Sequence, residues 1–234
     1  MVRVEELTKR YGTLEVLKGV SAEFPAGAVT AVVGPNASGK TTLMKSILGL
    51  VVPNAGRIWV LEEPALKNPR VREHIGYMPQ DPKFPENVTV REVIRWIEEL
   101  RGAPKRDLDE LMAYFGLAPH LEKPTRVLSG GTRQKLSAVL AFLFDPEVLI
   151  LDEPTAGLDP LASSRFKDRV LDERARGKTV ILTSHVMSEL EELADRMVFL
   201  LEGSVVFAGS LDELRERTGE ARLERAVARL MEAS

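Results

Sequence analysis

The apolar run Ala28–Val33 (AVTAVV) ends in Gly34-Pro35-Asn36-Ala37-Ser38-Gly39-Lys40-Thr41, and helical character follows as far as Leu50. A short apolar run without alternation reads as a strand buried on both faces, as in a parallel sheet. The octet fits G-x-x-x-x-G-K-[ST], which has physical meaning only between such a strand and a helix. Its glycines let the backbone approach an anion, and successive N–H groups and the positive helix end then face it. The Lys reaches the outer phosphates of a nucleotide and the Thr hydroxyl can hold Mg2+. Gly34, Asn36, Ala37, Ser38, Gly39, Lys40, Thr41 and Thr42 are therefore candidate phosphate contacts, with Thr41 also a candidate metal ligand.

Val148-Leu-Ile-Leu-Asp152-Glu153 supplies the matching half. An acidic residue at the carboxyl end of a buried strand can hold the Mg2+ of a bound nucleotide, the part given to Asp152. Glu153, the next residue, can position or deprotonate a water at the outermost phosphate. The plainer alternative is a pair of carboxylates capping the following helix. Leu128-Ser129-Gly130-Gly131 opens another helix. Ser129 reads either as a simple N-cap or, with Gly130 and Gly131, as a second anion cradle. A second cradle in a chain with one phosphate loop hints that two chains share the nucleotide.

Around these segments, strands are expected at Val2–Leu7, Lys18–Phe24, Gly56–Val60, Val148–Leu151 and Thr179–Thr183. A hairpin, Met197–Leu201 with Val205–Ala208, is expected about Glu202-Gly203. From about Asn87 to Phe144 the apolar residues return at helical spacing: one helix through Val90–Leu100 with Thr89 as N-cap, one through Leu108–Phe115, one from near Gly131. Further helices are expected at Leu161–Arg176 and Met187–Ala194. Strands alternating with helices imply a mostly parallel sheet covered by helices. The division expected is a core of 1–86 and 145–215, a helical subdomain of 87–144 and a helical tail of 216–234. The tail's stripe of Leu223, Ala226, Val227, Leu230 and Met231 reads first as a helix packed on its own domain, second as a partner contact.

Composition excludes several chemistries. The chain has no Cys and 3 His, so disulfides, thiolate nucleophiles and His-built metal centres are not expected. Its net charge of -3, without a basic stripe, argues against nucleic acid as partner. The longest uncharged stretch, Phe24–Gly39, is broken by Pro25, Gly27, Gly34 and Pro35, so no spanning helix is expected there. The N-terminus lacks the apolar core of a signal peptide. A soluble intracellular protein follows as the expectation, with any membrane role reached through a partner.

Taken together, the segments resemble the nucleotide-binding domain of an ATP-binding-cassette (ABC) transporter. GPNASGKTT resembles the family's Walker A segment, LSGG at Leu128–Gly131 its signature, VLILDEP at Val148–Pro154 its Walker B segment and AGLD at Ala156–Asp159 its D-loop. His185 in ILTSH resembles the switch histidine, Gln80 in YMPQ the Q-loop glutamine and Tyr11 the aromatic that stacks on adenine. Without the family, Gln80 would be a surface loop residue, His185 a helix-start histidine and Tyr11 a turn aromatic. The sequence departs from the family pattern in three places: Ala37-Ser38 in place of Gly-Ala or Gly-Ser, Thr132 where Gln is common and Lys135 where Arg is common.

The resemblance implies an α/β P-loop NTPase with a mostly parallel core sheet, an N-terminal antiparallel β part and an inserted α-helical subdomain. It implies two copies facing head to tail, each ATP held by Walker A of one and by Ser129, Gly130 and Gly131 of the other. Thr41, Gln80 and Asp152 would serve Mg2+, Glu153 would act as general base, and His185 and Lys40 would contact the γ-phosphate. Gln80 would also link the site to an integral-membrane permease, and Asp159 would cross the dimer interface. The chain would then be a peripheral ATPase on the cytoplasmic face of a membrane. The short region Leu61–Asn68 and the ending ADRMVFLLEGSVVFAGSLDEL resemble exporter-type cassettes. LSGGTRQK with SHVMSELEELADR resembles the ATPase of the transporter that helps mature nitrous-oxide reductase. The rival class is a soluble ABC ATPase of DNA repair, translation or protein assembly, whose members usually carry paired cassettes or long coiled-coil insertions; neither is read in this sequence.

Overall fold

The computed structural model describes residues 1–232 and contains two sheets among them. The first is antiparallel and four-stranded, in the order β2 (Leu14–Phe24), β1 (Val2–Tyr11), β4 (Ala55–Val60), β5 (Glu63–Pro64). The second is six-stranded, in the order β10 (Ser204–Ser210), β9 (Arg196–Leu201), β3 (Ala28–Val33), β8 (Thr179–Thr183), β7 (Val148–Asp152), β6 (Ile75–Met78). Its strands run parallel except for the β9–β10 hairpin. The α/β class, the mostly parallel core sheet and the N-terminal antiparallel part are as expected.

Side-chain alternation sends each core strand to two different interiors. Val29, Ala31 and Val33 of β3 and Leu149 and Leu151 of β7 face the larger core. There they meet α4 (Gly130–Leu143), α5 (Pro160–Ala175), α6 (Met187–Leu193), α7 (Leu211–Thr218) and α8 (Leu223–Glu232). Val32, Val148, Ile150 and Ile181 point the other way, onto α1 (Lys40–Ile47) and the inner face of the antiparallel sheet. Burial on both faces is why these strands read as unbroken apolar runs. By the same alternation Asp152 faces the side on which α1 lies.

Helix starts follow local chemistry. The hydroxyl of Thr89 and the carboxylate of Glu92 form a reciprocal cap on α2 (Val90–Arg101), and Ser210 with Glu213 does the same for α7. α3 (Leu108–Tyr114) starts at a capping Asp107. Phe142 of α4 lies 5.8 Å from Phe166 of α5 and 6.0 Å from Phe115 just after α3, so an aromatic cluster joins the inserted helices to the core. α8 buries Leu223, Ala226, Val227 and Leu230 against α6 and α7, while Met231 of the expected stripe is exposed.

Several boundaries differ from the sequence reading. β1 runs on to Tyr11 and β2 starts at Leu14, because their pairing through a tight turn at Gly12 outlasts the apolar alternation. α1 ends at Ile47 rather than Leu50, where the chain turns through Leu48 and Gly49. β6 was not foreseen: it is four residues long and contains Gly76, whose added Cβ would lie 2.3 Å from the Ala141 oxygen of α4. Only a residue without a side chain lets the strand pass so close beneath that helix. α7 was also missed, and it crosses the expected 215/216 boundary. Ala233 and Ser234 of the expected tail lie outside the described residues.

A buried charge network ties the inserted helices to the core. Glu173 near the end of α5 is fully buried and pairs with Arg106 at 2.8 Å, Arg169 at 2.9 Å and Lys178 at 3.0 Å. Removing one member of such a network leaves charge stranded in a low-dielectric interior. Glu173→Ala is expected to lower unfolding free energy by about 3–5 kcal/mol, measured by denaturant titration. A loss below about 1 kcal/mol would mean that the three cations reach water without it.

Candidate functional site

The loop from β3 to α1 is shaped by close approaches that exclude side chains. A Cβ at Gly34 would lie 2.1 Å from the Leu200 oxygen of β9, so the chain leaves β3 pressed against its neighbour. At Gly39 φ is +104°, and a Cβ there would lie 2.8 Å from Leu17 Cδ2 and 2.9 Å from the Val16 oxygen. Ala37 takes a left-handed φ of +63° without being glycine. That conformation costs a side-chain-bearing residue about 1–2 kcal/mol, so the departure from the family's Gly carries strain.

Among the described residues no side chain satisfies the start of α1. No side chain caps it, no acidic residue sits in its first turn, and the buried Ser38 hydroxyl has no hydrogen-bond partner. Together with the helix dipole this is a cradle for anionic oxygen. Lys40 Nζ crosses the loop and donates to the carbonyls of Gly34 at 2.7 Å and Pro35 at 3.0 Å. Burial pulls its ammonium below the usual lysine range, and the carboxylates of Glu153 and Asp152 oppose that shift.

The other side of the cleft comes from the carboxyl ends of β7, β8 and β6. Asp152 ends β7 in register beside Thr183 of β8, whose hydroxyl donates to Asp152 Oδ1 at 2.6 Å. The Glu153 N–H donates back to that hydroxyl at 3.0 Å. Glu153 holds a left-handed φ of +48°, and its carboxylate meets His185 Nε2 at 3.0 Å. Strain of this kind persists only where surrounding bonds impose it, as at many reactive sites. Gln80 follows β6 and reaches the same cleft, a space of about 380 Å³ that also borders Asn36 through Thr42, Asp152, Glu153 and His185.

Not every expected residue lines this cleft. Gly34 stays behind Lys40, and Tyr11, half exposed, lies under Lys9 Nζ at 4.9 Å. Leu14 and Val16 of β2 form the apolar border instead. Ser129, Gly130 and Gly131 open α4 outside the cleft. Ser129 accepts from the Thr132 N–H, so the N-cap reading describes its contacts within this chain. Asp159 likewise caps α5 and pairs with Lys135 Nζ at 2.7 Å; that contact, then the Ala162 N–H, holds its carboxyl below the usual range. A Cβ at Gly131 would lie 2.5 Å from the Gly157 oxygen, so the glycine-rich helix start rests on the loop before α5. Sequence reasoning missed Thr183 and Gln134. Gln134 is buried in α4 and donates to the Glu153 and Pro154 carbonyls at 3.4 Å.

Asp152, Thr41 and Gln80 offer oxygen donors to one space. Among the described residues no cluster of three or more His, Asp or Glu forms a cage of its own. That donor set fits a hard cation completing its shell with phosphate oxygens and water, as Mg2+ does.

The family model described as ABC transporter matches residues 17–156. The chain is 34% identical over 219 residues to the Nod factor export ATP-binding protein I of Ralstonia nicotianae, covering 92% of this chain and 68% of that protein. It is 36% identical over 228 residues to a daunorubicin resistance ATP-binding protein of Streptomyces coeruleorubidus, covering 95% and 72%. An uncharacterized ABC transporter ATP-binding protein of Nostoc is 36% identical, and the chain spans 61% of its length. A solved ATP-binding subunit of an ABC transporter superposes with a TM-score of 0.94 at 31% identity over 99% of both chains. A dimeric bacterial ABC transporter cassette superposes with a TM-score of 0.81 at 21% identity over 90% of this chain and 99% of the other. The chain belongs to the ABC transporter family, among its ATP-binding ATPase subunits.

Proposed function

We propose that this chain is the motor subunit of an exporter-type ABC transporter, hydrolysing ATP as a head-to-tail pair beneath an integral-membrane permease. The observation that carries the reading is the convergence of Lys40, Thr41, Gln80, Asp152, Glu153 and His185 on one cleft. The uncapped start of α1 and Lys40 would bind the phosphates. Thr41, Asp152 and Gln80 would hold Mg2+, which neutralises phosphate charge as the terminal bond breaks. Glu153 would take a proton from the attacking water, and His185, 3.0 Å from it, would orient that carboxylate and meet the γ-phosphate. Leu14 and Val16 would border the adenine.

Ser129, Gly130, Gly131 and Asp159 lie outside their own chain's cleft, which supports their use by a second copy. The helical part 87–144 would carry the signature to that copy, the core 1–86 and 145–215 would hold the nucleotide, and the tail 216–234 would pack on the core. Among the described residues no helix is long and apolar enough to cross a membrane; the permease and the cytoplasmic side are the part the family resemblance would supply. The names of two relatives, Nod factor export and daunorubicin resistance, favour export as the direction. The narrower reading, maturation of nitrous-oxide reductase, rests on LSGGTRQK and SHVMSELEELADR alone. The soluble DNA-repair or translation class is not favoured by any of these names.

Two experiments test the reading on the chain assembled with its permease. Glu153→Gln is expected to lower kcat by about 10²–10⁴ while ATP still binds, and the isolated variant chain is expected to form an ATP-bound dimer seen as doubled mass by light scattering. Full turnover in that variant would remove Glu153 from the base role. Mixing a Lys40→Ala chain with a Ser129→Arg chain is expected to restore hydrolysis that neither shows alone, because one pocket of the mixed pair is intact. No recovery, with mixed dimers demonstrated, would overturn the shared pocket.

A further inference from the structure

Glu189 lies in the first turn of α6, half-buried, and does not border the nucleotide cleft. Its Oε2 accepts two hydrogen bonds from two different loops. One comes from Thr155 Oγ1 at 2.8 Å, two residues beyond Glu153. The other comes from Ser184 Oγ at 3.1 Å, one residue before His185. The Ser184 hydroxyl in turn accepts the Val186 N–H at 3.0 Å. Val186, the N-cap of α6, has no capping side chain of its own, so this relay closes the helix start.

We propose that Glu189 is a positioning residue for hydrolysis: it clamps the loop bearing Glu153 to the loop bearing His185 and so fixes their 3.0 Å contact. Strand pairing and Thr183 anchor the backbone of Glu153 from one side, but they end at the strand tips. Beyond the tips, two separate loops must carry a base and its histidine partner in constant relation. The left-handed backbone at Glu153 stores strain that a free loop would release, and the Thr155 bond opposes that release. A carboxylate serves because one oxygen can accept both hydroxyls at once. An amide oxygen can do the same, so Gln is the conservative replacement.

The inference rests on the proposed roles of Glu153 and His185, and the test separates the two. With the chain assembled with its permease, kcat, KM and ATP affinity by nucleotide fluorescence are measured for Glu189→Ala, Glu189→Gln, Thr155→Val, the Glu189→Ala/Thr155→Val double variant and Glu153→Gln. Expected is a fall in kcat on the order of tenfold in Glu189→Ala, within the hundredfold that about 1 Å of misplacement brings, with ATP affinity unchanged. Glu189→Gln retains most activity, and Thr155→Val adds no further loss in the Glu189→Ala background. Wild-type kcat in Glu189→Ala, or losses that multiply, overturns the clamp provided Glu153→Gln is inactive. An active Glu153→Gln sinks the catalytic reading instead. Should Glu189→Ala fail to fold, shown by its thermal midpoint, Thr155→Val alone decides: unchanged kcat overturns the clamp and a drop at constant affinity supports it.

Discussion

The parallel pairing of β7 with β8, which sets Asp152 beside Thr183, is the interaction on which the rest of the site depends. It puts two strand ends level, so the loops that follow leave the sheet at the same height. The Thr183 hydroxyl then serves both halves of the pair Asp152-Glu153, giving to the side chain of one and receiving from the backbone of the other. Ligands of open α/β sheets bind outside the carboxyl ends of the strands, and here β3, β6, β7 and β8 all deliver residues to that edge. Slipping this register by one residue would turn Asp152 away from α1 and bury the wrong set of side chains.

Close contact is the second constraint, and it explains where glycine is required. Gly34 against Leu200, Gly39 against Val16 and Gly131 against Gly157 are three places where one backbone touches another in or near the cleft. At Ala37 and Glu153, by contrast, left-handed backbone is tolerated in residues that carry a side chain. Both are held by neighbours that cannot relax: the turn closed by the Ser38 N–H on the Pro35 carbonyl, and the Thr183 and Gln134 bonds about Glu153. Both loops meet the phosphate end of the cleft, and other left-handed residues, Glu6, Leu61 and Asp145 among them, lie away from it.

Much of this was legible in the sequence because its causes are local. The strand, loop and helix around Gly34–Thr41, the cap at Thr89, the run ending in Asp152-Glu153 and the buried stripe of α8 follow from spacing alone. What was hidden depends on tertiary contact. Ile-Gly-Tyr-Met at Ile75–Met78 becomes a strand only because α4 lies over Gly76 and β7 pairs beside it. Thr183 looks like any β-branched strand residue until the register places it against Asp152. Leu14 and Val16 border the cleft through a hairpin that extends past its apolar pattern, whereas Tyr11, chosen for its ring, stands aside. α7 had a visible signal in Ser210 and Glu213, three residues apart, which went unread.

The signature residues carry the remaining step. Ser129 and Asp159 each cap their own helix, and Lys135 joins them through its pair with Asp159. A region so satisfied within its chain is rigid before any partner arrives, which lowers the ordering entropy that association would otherwise cost. On the proposed reading, nucleotide binds one chain's cleft and is completed by the other's preformed helix start, so nucleotide affinity and dimer affinity must rise together by the same factor. Hydrolysis would then remove the bridging phosphate and that coupling with it. On that reading opening would follow from the loss of the shared ligand, with neither the buried network at Glu173 nor the sheet required to rearrange.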